Sequence, residues 1–253
     1  MRIASLGSGS RGNGTLIEDG DTCVLIDLGF TLKETKRRLQ RLGRTPEDID
    51  AILVTHEHAD HINGVPAFAR KFNTPVYMTP GTYVPERQGI YPSLHKINCH
   101  RNFRIGSIGI EPVPVPHDAR EPCQYVLSSG GIKFGVLTDL GHVTPFVEMQ
   151  YNECDVLLLE CNHDPVMLAD GPYPYPLKVR VGGMHGHLSN EQAAGLLEKI
   201  ELGRLQHLVI SHISEKNNLP ELASGALYPV LESWSGDLHM ADQKLGFDWI
   251  EVN

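Results

Sequence analysis

The sequence has no apolar run that approaches the roughly 18 residues of a membrane-spanning helix, and its N-terminus lacks the apolar stretch of a signal peptide. It also lacks a disulfide framework, because its five cysteines are an odd number and include no CxxC pair. These absences exclude a membrane span and a disulfide-stabilised secreted fold. We therefore expect a soluble, cytoplasmic protein in a reducing compartment.

Basic residues are fewer than acidic ones, 22 against 31, and the formal net charge is -9. The long-range field of such a protein repels phosphate, which excludes a generic binder of nucleic acid or of an anionic membrane surface. If the substrate is a polyanion, a local basic patch or bound cations must reverse that field.

The length of 253 residues fits one large α/β domain, and we expect residues 1–253 to form it. Apolar residues make up 41% and charged residues 21%, which allows a substantial core. Short apolar runs predict strands over residues 2–6, 15–17, 23–27, 51–55, 76–78, 110–115, 124–127 and 132–138. Helical periodicity appears over residues 32–42, 64–72, 145–152, 190–200 and 219–234. This order favours two mixed sheets sandwiched between helices over one doubly wound parallel sheet.

Histidine is abundant, with 13 residues, and the densest group lies in the segment AILVTHEHADH at residues 51–61. An apolar strand there runs into His56 and His58, whose side chains leave the same side of an extended chain. Asp60 and His61 follow where the chain turns toward a helix, and they point to a neighbouring position. Four such donors suit two adjacent metal ions. The alternative is a polar loop with exposed or hydrogen-bonded histidines.

The pattern HxHxDH resembles that of the metallo-β-lactamase-fold hydrolases, whose α/β fold is a four-layer αββα sandwich of two mixed sheets. Three later residues at the ends of apolar runs match the same family, namely His117, Asp139 and His212. The resemblance implies one metal held by His56, His58, His117 and Asp139, and another held by Asp60, His61, Asp139 and His212. Taken singly, the later three have plainer interpretations: a surface histidine, a turn-forming aspartate, and a core histidine bonded to Ser211 or Ser214.

Further segments resemble the YycJ/WalJ-type branch of that family, which is associated with 5′ to 3′ exonuclease activity on DNA. They are SLGSGSRGNGT at 5–15, NHD at 162–164, GPYPYPLKVR at 171–180, GHLSN at 186–190 and SHISEKNNLPELA at 211–223. The sequences GHLS and SHIS are also similar to segments of tRNase Z, where a histidine assists proton transfer and a glutamate orients it. By position these residues are His187 and Glu160, although the sequence ECNH adds His163 at this point.

The resemblance implies two divalent metal ions, zinc or manganese, with iron also compatible with such ligands. Two cations about 3.5–4 Å apart lower the pKa of a bridging water and neutralise charge on an attacked phosphodiester. The hypothesis is that a metal-bound hydroxide attacks phosphorus while Asp60 or Asp139 orients it. His187, oriented by Glu160, would protonate the leaving oxygen.

Four residues near these segments are candidate contacts to the substrate: His163, Lys178, Arg180 and His185. Lys178 and Arg180 lie two residues apart in what we predict to be an extended stretch after a Pro-rich surface loop at 170–178. They could therefore grip phosphates from one side. Ordinary solvated charge and solvent-facing loop histidines are the alternatives.

The segment at residues 31–44, which contains the predicted helix 32–42, is basic and holds Lys33, Lys36, Arg37, Arg38, Arg41 and Arg44 against only Glu34. Its charged face could supply the missing positive surface, or it could simply be solvated.

The first expectation is a dinuclear metal-dependent phosphodiesterase acting on nucleic acid, in particular a 5′ to 3′ DNA exonuclease with no membrane partner. One alternative is hydrolysis of a small phosphodiester, thioester or lactone, because one metal site supports many substrates on this fold. Another is a metal-bound interaction protein without turnover. The sequence leaves the oligomeric state, the metal and the choice between DNA and RNA open.

Overall fold

The structure of the chain, a computed structural model, describes residues 1–252. The strands are β1 (Arg2–Gly7), β2 (Gly14–Asp19), β3 (Thr22–Ile26), β4 (Ala51–Leu53), β5 (Val76–Met78), β6 (Leu94–Lys96), β7 (Phe103–Ile105), β8 (Ile108–Pro114), β9 (Cys123–Ser129), β10 (Ile132–Leu137), β11 (Val156–Glu160), β12 (His207–Ser211), β13 (Asp237–Met240) and β14 (Phe247–Glu251). The α-helices are α1 (Leu32–Arg41), α2 (Ala59–Ile62), α3 (Val65–Phe72), α4 (Pro85–Gln88), α5 (Pro145–Tyr151), α6 (Pro165–Asp170), α7 (Tyr175–Val181), α8 (Asn190–Leu197) and α9 (Pro220–Leu231). The expected two mixed sheets flanked by helices are confirmed.

The chain divides into two compact units. The first comprises residues 1–114, residues 119–132 and the segment from Asp242 onward. The second comprises residues 115–118 and 133–241. The prediction that residues 1–253 form one domain stays a prediction.

In the first unit, seven strands follow the order β14-β1-β2-β3-β4-β5-β6, antiparallel from β14 to β3 and parallel from β3 to β6. Strand β4 lies between β3 and β5, where Ile52 pairs with Leu25 on one side and Val76 on the other. A strand with neighbours on both edges and cover on both faces carries a continuous apolar sequence, which explains the run Ala51–Leu53. Strands β7, β8 and β9 form an antiparallel meander in the same unit.

In the second unit, four parallel strands follow the order β10-β11-β12-β13. Strand β11 has the fully buried sequence VLLLE, and its Leu158 pairs with Val136 of β10 and Val209 of β12. Parallel strands that are connected through helices bring their carboxyl ends to one edge of the sheet. Residues that follow β10, β11 and β12 are therefore neighbours, although they are distant in sequence.

The interpretation of residues 170–180 as a loop followed by an extended stretch is wrong, because Tyr175–Val181 is helix α7. Pro174 caps this helix and Pro176 occupies its first turn. Proline is tolerated in the first turn of a helix because the backbone N–H groups there have no partner inside the helix. The prolines here begin a helix and do not mark an extended segment.

Among residues 1–252, no helix is both long and apolar enough to cross a bilayer. All five cysteines are buried thiols.

Gly29 follows β3 and is packed against the segment that carries the predicted metal ligands. A Cβ atom at this position would lie 1.9 Å from the carbonyl oxygen of Asp60 and 2.8 Å from the Cα of Gly12. Both neighbours are backbone atoms, so neither can rotate away.

We expect Gly29→Ala to lower the free energy of unfolding by about 3 kcal/mol, because the added methyl group overlaps the backbone of Asp60. The matched control is Gly195→Ala in α8, where an added Cβ meets nothing within 4 Å. Alanine is the better helix former, so the control should be neutral or slightly stabilising. Urea denaturation of both variants measures the difference, and equal stability of the two would contradict the packing described here.

Candidate metal centre

The predicted ligands of the first unit follow β4 and lead into α2. His56 and His61 are buried, whereas His58 is partly exposed and is the N-terminal capping residue of α2. The ring centroids of His56 and His58 are 4.5 Å apart, and those of His56 and His61 are 4.2 Å apart. The strand end and the first helical turn therefore gather three imidazoles into one group.

Asp27 fixes the orientation of this group from the end of β3. Its Oδ2 atom lies 2.7 Å from Nδ1 of His61 and accepts a hydrogen bond from the Thr55 hydroxyl at 2.8 Å. The same hydroxyl lies 2.9 Å from Nδ1 of His56. Histidines that bind a metal through one ring nitrogen usually engage a carboxylate or another acceptor through the other. With Nδ1 engaged in this way, a metal would bind His56 and His61 through Nε2.

Asn13, in the loop between β1 and β2, contacts the same group from another side. Its side-chain nitrogen lies 3.0 Å from Nε2 of His61 and 3.3 Å from Oδ2 of Asp60. The Asn13 amide also holds the loop itself, because its Oδ1 accepts a hydrogen bond from the N–H of Gly9 at 2.8 Å. The Gly-rich loop therefore acts as a structured turn beside the predicted ligands.

The arginines of α1 are engaged in ion pairs within the first unit. Both Arg37 and Arg38 bind Glu34, whose pKa is lowered to about 2 chiefly by its hydrogen bond to Arg37. Arg41 pairs with Asp248 and Arg44 with Glu18. Much of the positive charge predicted for this helix is thus neutralised by neighbouring carboxylates. The helix does not present the row of unopposed cations that a phosphate-gripping face would need.

In the second unit, Glu160 ends β11 and is completely buried. Its Oε2 atom accepts hydrogen bonds from the backbone N–H groups of Leu140 at 3.1 Å and Leu188 at 3.0 Å. Its Oε1 atom lies 2.8 Å from Nδ1 of His187 and 2.9 Å from Nδ1 of His212. One carboxylate thus orients two imidazoles.

The ionisation states in this cluster follow from burial and charge. Burial alone would raise the pKa of Glu160, but the charge and hydrogen bond of His187, together with the hydrogen bond to His212, lower it to about 2. Burial lowers the pKa of His187, but the Glu160 carboxylate outweighs it and raises that pKa above its ordinary value. The carboxylate is therefore ionised, and His187 is poised to hold a proton.

Asp139 and His212 follow β10 and β12 and complete a set of four donors. One ligand atom each from Asp139, Glu160, His187 and His212 lies within 4.8 Å of the others. Asp139 has φ +52° and His212 has φ +53°, values in the left-handed region. Backbone in that region turns the chain sharply, and Asp and His are among the side chains that tolerate it. Both residues are buried, so the turns place them inside the unit and not at its surface.

His117 lies in the same unit, after β8. Its ring centroid is 5.3 Å from that of His187, and its Nδ1 lies 3.0 Å from the carbonyl oxygen of Gly186. Burial lowers the pKa of His117, although the nearby Asp139 carboxylate opposes this. A buried, neutral imidazole is the form that binds a metal.

The four predicted substrate contacts lie in different environments. His163 is 4% exposed, and no hydrogen-bond partner for its buried Nδ1 lies among residues 1–252. Burial lowers the pKa of His163 to about 4. His185 is exposed.

Lys178 and Arg180 do not share one side of an extended chain, because both are in α7. Residues two positions apart on a helix point about 200° apart around the helix axis. The expectation that Lys178 and Arg180 grip phosphates from one side is therefore wrong. Lys178 donates to the carbonyl oxygen of Ala169, and Arg180 forms an ion pair with Asp118.

Sequence reasoning missed Asp27 and Asn13 as members of the site. Asp27 follows the apolar strand β3, so it has the position after an apolar run that His117, Asp139 and His212 also have. Asn13 gave no comparable signal, because its contact with His61 depends on how the loop after β1 folds back.

Histidines and carboxylates after apolar strands, in both units, are typical of metallo-β-lactamase-fold proteins. Residues 22–213 match the family described as the beta-lactamase superfamily domain, and the chain belongs to that family. It is 35% identical over 229 residues to exodeoxyribonuclease WalJ of Streptococcus pneumoniae, covering 88% of this chain and 85% of the relative. It is 32% identical over 241 residues to exodeoxyribonuclease YycJ of Bacillus anthracis, covering 92% and 89%.

Among solved structures, the metallo-β-lactamase-fold protein YhfI of Bacillus subtilis superposes with a TM-score of 0.74 at 17% identity. The match covers 98% of each chain. At that identity the likeness shows the fold alone, and it confirms the expected metallo-β-lactamase fold.

We expect Glu160→Gln to lower the free energy of unfolding of the metal-free protein by about 3 kcal/mol at pH 7, because it removes a buried charge paired with two imidazoles. Since the folded pKa of Glu160 is about 2, below its ordinary value of 4.5, this stabilisation is present above pH 4.5 and is lost as the pH falls toward 2. Urea denaturation at several pH values measures both effects.

The control is Glu201→Gln, at an exposed position. It should change the free energy of unfolding by no more than about 0.5 kcal/mol. A Glu160→Gln variant as stable as this control at pH 7 would show that the buried carboxylate does not hold the cluster.

Proposed function

We propose that this chain is a metal-dependent phosphodiesterase that degrades DNA from the 5′ end. The observation that carries the proposal is the cluster of buried Asp139, Glu160 and His212 with partly exposed His187, in a chain that resembles two exodeoxyribonucleases over most of its length. The fold alone does not choose a substrate, because the same scaffold supports many reactions.

The donor chemistry of each unit fits divalent metals. In the first unit, Asp27 and Thr55 engage the Nδ1 atoms of two buried histidines, so a metal would bind each ring through Nε2 and, at His61, would replace the contact with the Asn13 amide. In the second unit, Nδ1 of His212 lies 3.6 Å from Oδ1 of Asp139, and because Glu160 engages that Nδ1, a metal would bind His212 through Nε2. Imidazole and carboxylate together suit zinc, and they also tolerate manganese or iron.

We propose the following ligands for two metal ions: His56, His58, His117 and Asp139 for one, and Asp60, His61, Asp139 and His212 for the other. When bound, such ions make water a better nucleophile and neutralise negative charge on the phosphate. Asp139 is assigned to both ions because its two oxygens can face different ions.

The residues of the chain would handle the proton. His187, held by the Glu160 carboxylate at 2.8 Å, is proposed to protonate the leaving oxygen. The same hydrogen bond fixes the ring so that its Nε2 is the atom presented to substrate. Asp60 or Asp139 would orient the attacking water.

A cleft of about 380 Å³ lies beside His58 in the first unit, between α2 and α4. Its lining includes Asn63, Val84 and Arg87, which combine polar, apolar and basic groups. We propose that this cleft accepts part of the terminal nucleotide. His163 and His185 remain candidate substrate contacts. Lys178 and Arg180 are weaker candidates, because their side chains already contact Ala169 and Asp118.

We expect Asp139→Asn to lower the nuclease rate by at least about 100-fold and to reduce the bound metal, because the amide oxygen is a weaker ligand than a carboxylate. Rates on labelled DNA and elemental analysis of the same preparation measure the two effects. Asp170→Asn, at an exposed position of the same unit, is the control and should match the wild type in both. A variant that cleaves at the wild-type rate with unchanged metal content would refute the assignment of Asp139.

The substrate is tested with duplex and single-stranded DNA labelled at either end, alongside RNA, small phosphodiesters, a thioester and a lactone. We expect successive release of nucleotides from the 5′ end of DNA in a reaction that a chelator stops. Turnover of small esters without DNA cleavage would instead support the alternative hydrolase. No turnover of any substrate by metal-loaded protein would support a non-catalytic role.

A further inference from the structure

A second group of potential metal ligands lies in the second unit, on strands β12 and β13. His207 begins β12 and pairs in register with Asp237, the first residue of β13, while His239 pairs with Val209. Side chains alternate along a strand, so Asp237 and His239 leave the same face of β13. His207 leaves that face too, because residues in register on neighbouring strands point the same way.

This group is separate from the candidate centre described above. His207 is the first residue of β12, whereas His212 follows the last residue of the same strand. With a rise of about 3.3 Å per residue, the two lie about 16 Å apart along the strand. A ligand held at one end of β12 therefore shares no donor with the other end.

The distances fit a tetrahedral metal. Nδ1 of His207 lies 3.1 Å from Nε2 of His239 and 3.6 Å from Oδ2 of Asp237. A tetrahedral zinc with ligand bonds of about 2.0–2.1 Å requires donor atoms about 3.3–3.4 Å apart. These two separations lie on either side of this value, and one ligand atom from each of the three residues lies within 4.8 Å of the others.

We propose that His207, Asp237 and His239 form a surface site for a divalent transition metal such as Zn²⁺, with water as the fourth ligand. Two imidazoles and one carboxylate match the ligand preference of zinc and disfavour calcium or magnesium, which prefer oxygen donors.

The surroundings of the three side chains favour this assignment. The side chain of Asp237 is 74% exposed and that of His207 is 14% exposed, so one edge of the site is open for metal entry and for water.

The site would cross-link the last strand of the series β10-β11-β12-β13 to its neighbour. Strand β13 has four residues. Besides the His207–Asp237 pair, its other three residues each pair with a residue of β12. A metal held by one donor from β12 and two from β13 would add to that pairing. It would thereby stabilise the folded state increasingly, and logarithmically, as the metal concentration rises.

The test is zinc binding by the full chain, measured by equilibrium dialysis and elemental analysis. Wild-type protein should bind one equivalent more than His239→Gln or His207→Gln, and Asp237→Asn should weaken that equivalent at least tenfold. The control is His100→Gln, because His100 is exposed and belongs to none of the ligand groups found among residues 1–252. It should bind as many equivalents as the wild type.

The proposal is overturned if wild type and His239→Gln bind the same number of zinc equivalents with the same affinity. If His207→Gln does not fold, the half-buried His239 provides the deciding variant. A thermal shift gives a second readout, because added zinc should raise the melting temperature of the wild type more than that of His239→Gln. Nuclease activity should be equal in both, which separates this site from the proposed catalytic centre.

Discussion

Both units depend on the same interaction, a buried carboxylate that holds imidazoles at the ends of strands. Asp27 holds His61 in one unit, and Glu160 holds His187 and His212 in the other. A buried charge without partners destabilises a protein strongly, so the carboxylate and its imidazoles constrain one another. The histidines are oriented before any metal arrives, and they stabilise the buried carboxylates together with the Thr55 hydroxyl and the backbone N–H groups of Leu140 and Leu188.

The backbone at these strand ends shows how the arrangement is reached. Asp27, Asp139 and His212 all have φ between +52° and +60°, a region that a residue with a Cβ atom enters at a penalty of about 1 kcal/mol. The turn lets a strand end abruptly and direct the next side chain inward. The apolar sequences of β3, β10 and β12 make this possible, because buried neighbours on both sides keep each strand in place while its end is bent. The stability of the sheets thus supports the strain at the site.

Much of the site could be predicted from sequence because its residues follow apolar runs. The dense pattern HxHxDH after an apolar strand indicated metal binding at His56, His58, Asp60 and His61, whereas His117, Asp139 and His212 were identified by their resemblance to the metallo-β-lactamase-fold family. The group of His207, Asp237 and His239 was not predicted, because its residues lie at or near the starts of β12 and β13 and not after the ends of strands. His207 and Asp237 are also 30 residues apart, which matches no recognisable motif. Helix α7 was not predicted because the Pro-rich sequence at 170–178 is typical of a surface loop, although prolines in a first turn favour a helix.

The net charge of -9 bears on how a polyanion could be bound. The arginines of α1 are paired with Glu34, Asp248 and Glu18, so that helix contributes little long-range attraction. On the proposed function, the attraction for phosphate would then come mainly from the bound cations themselves, and only locally from residues such as Arg87. An enzyme of this kind would bind the terminal phosphates close to its metals and make few contacts along the rest of the strand. That distribution of charge suits an exonuclease, which must hold one end of its substrate and release the remainder.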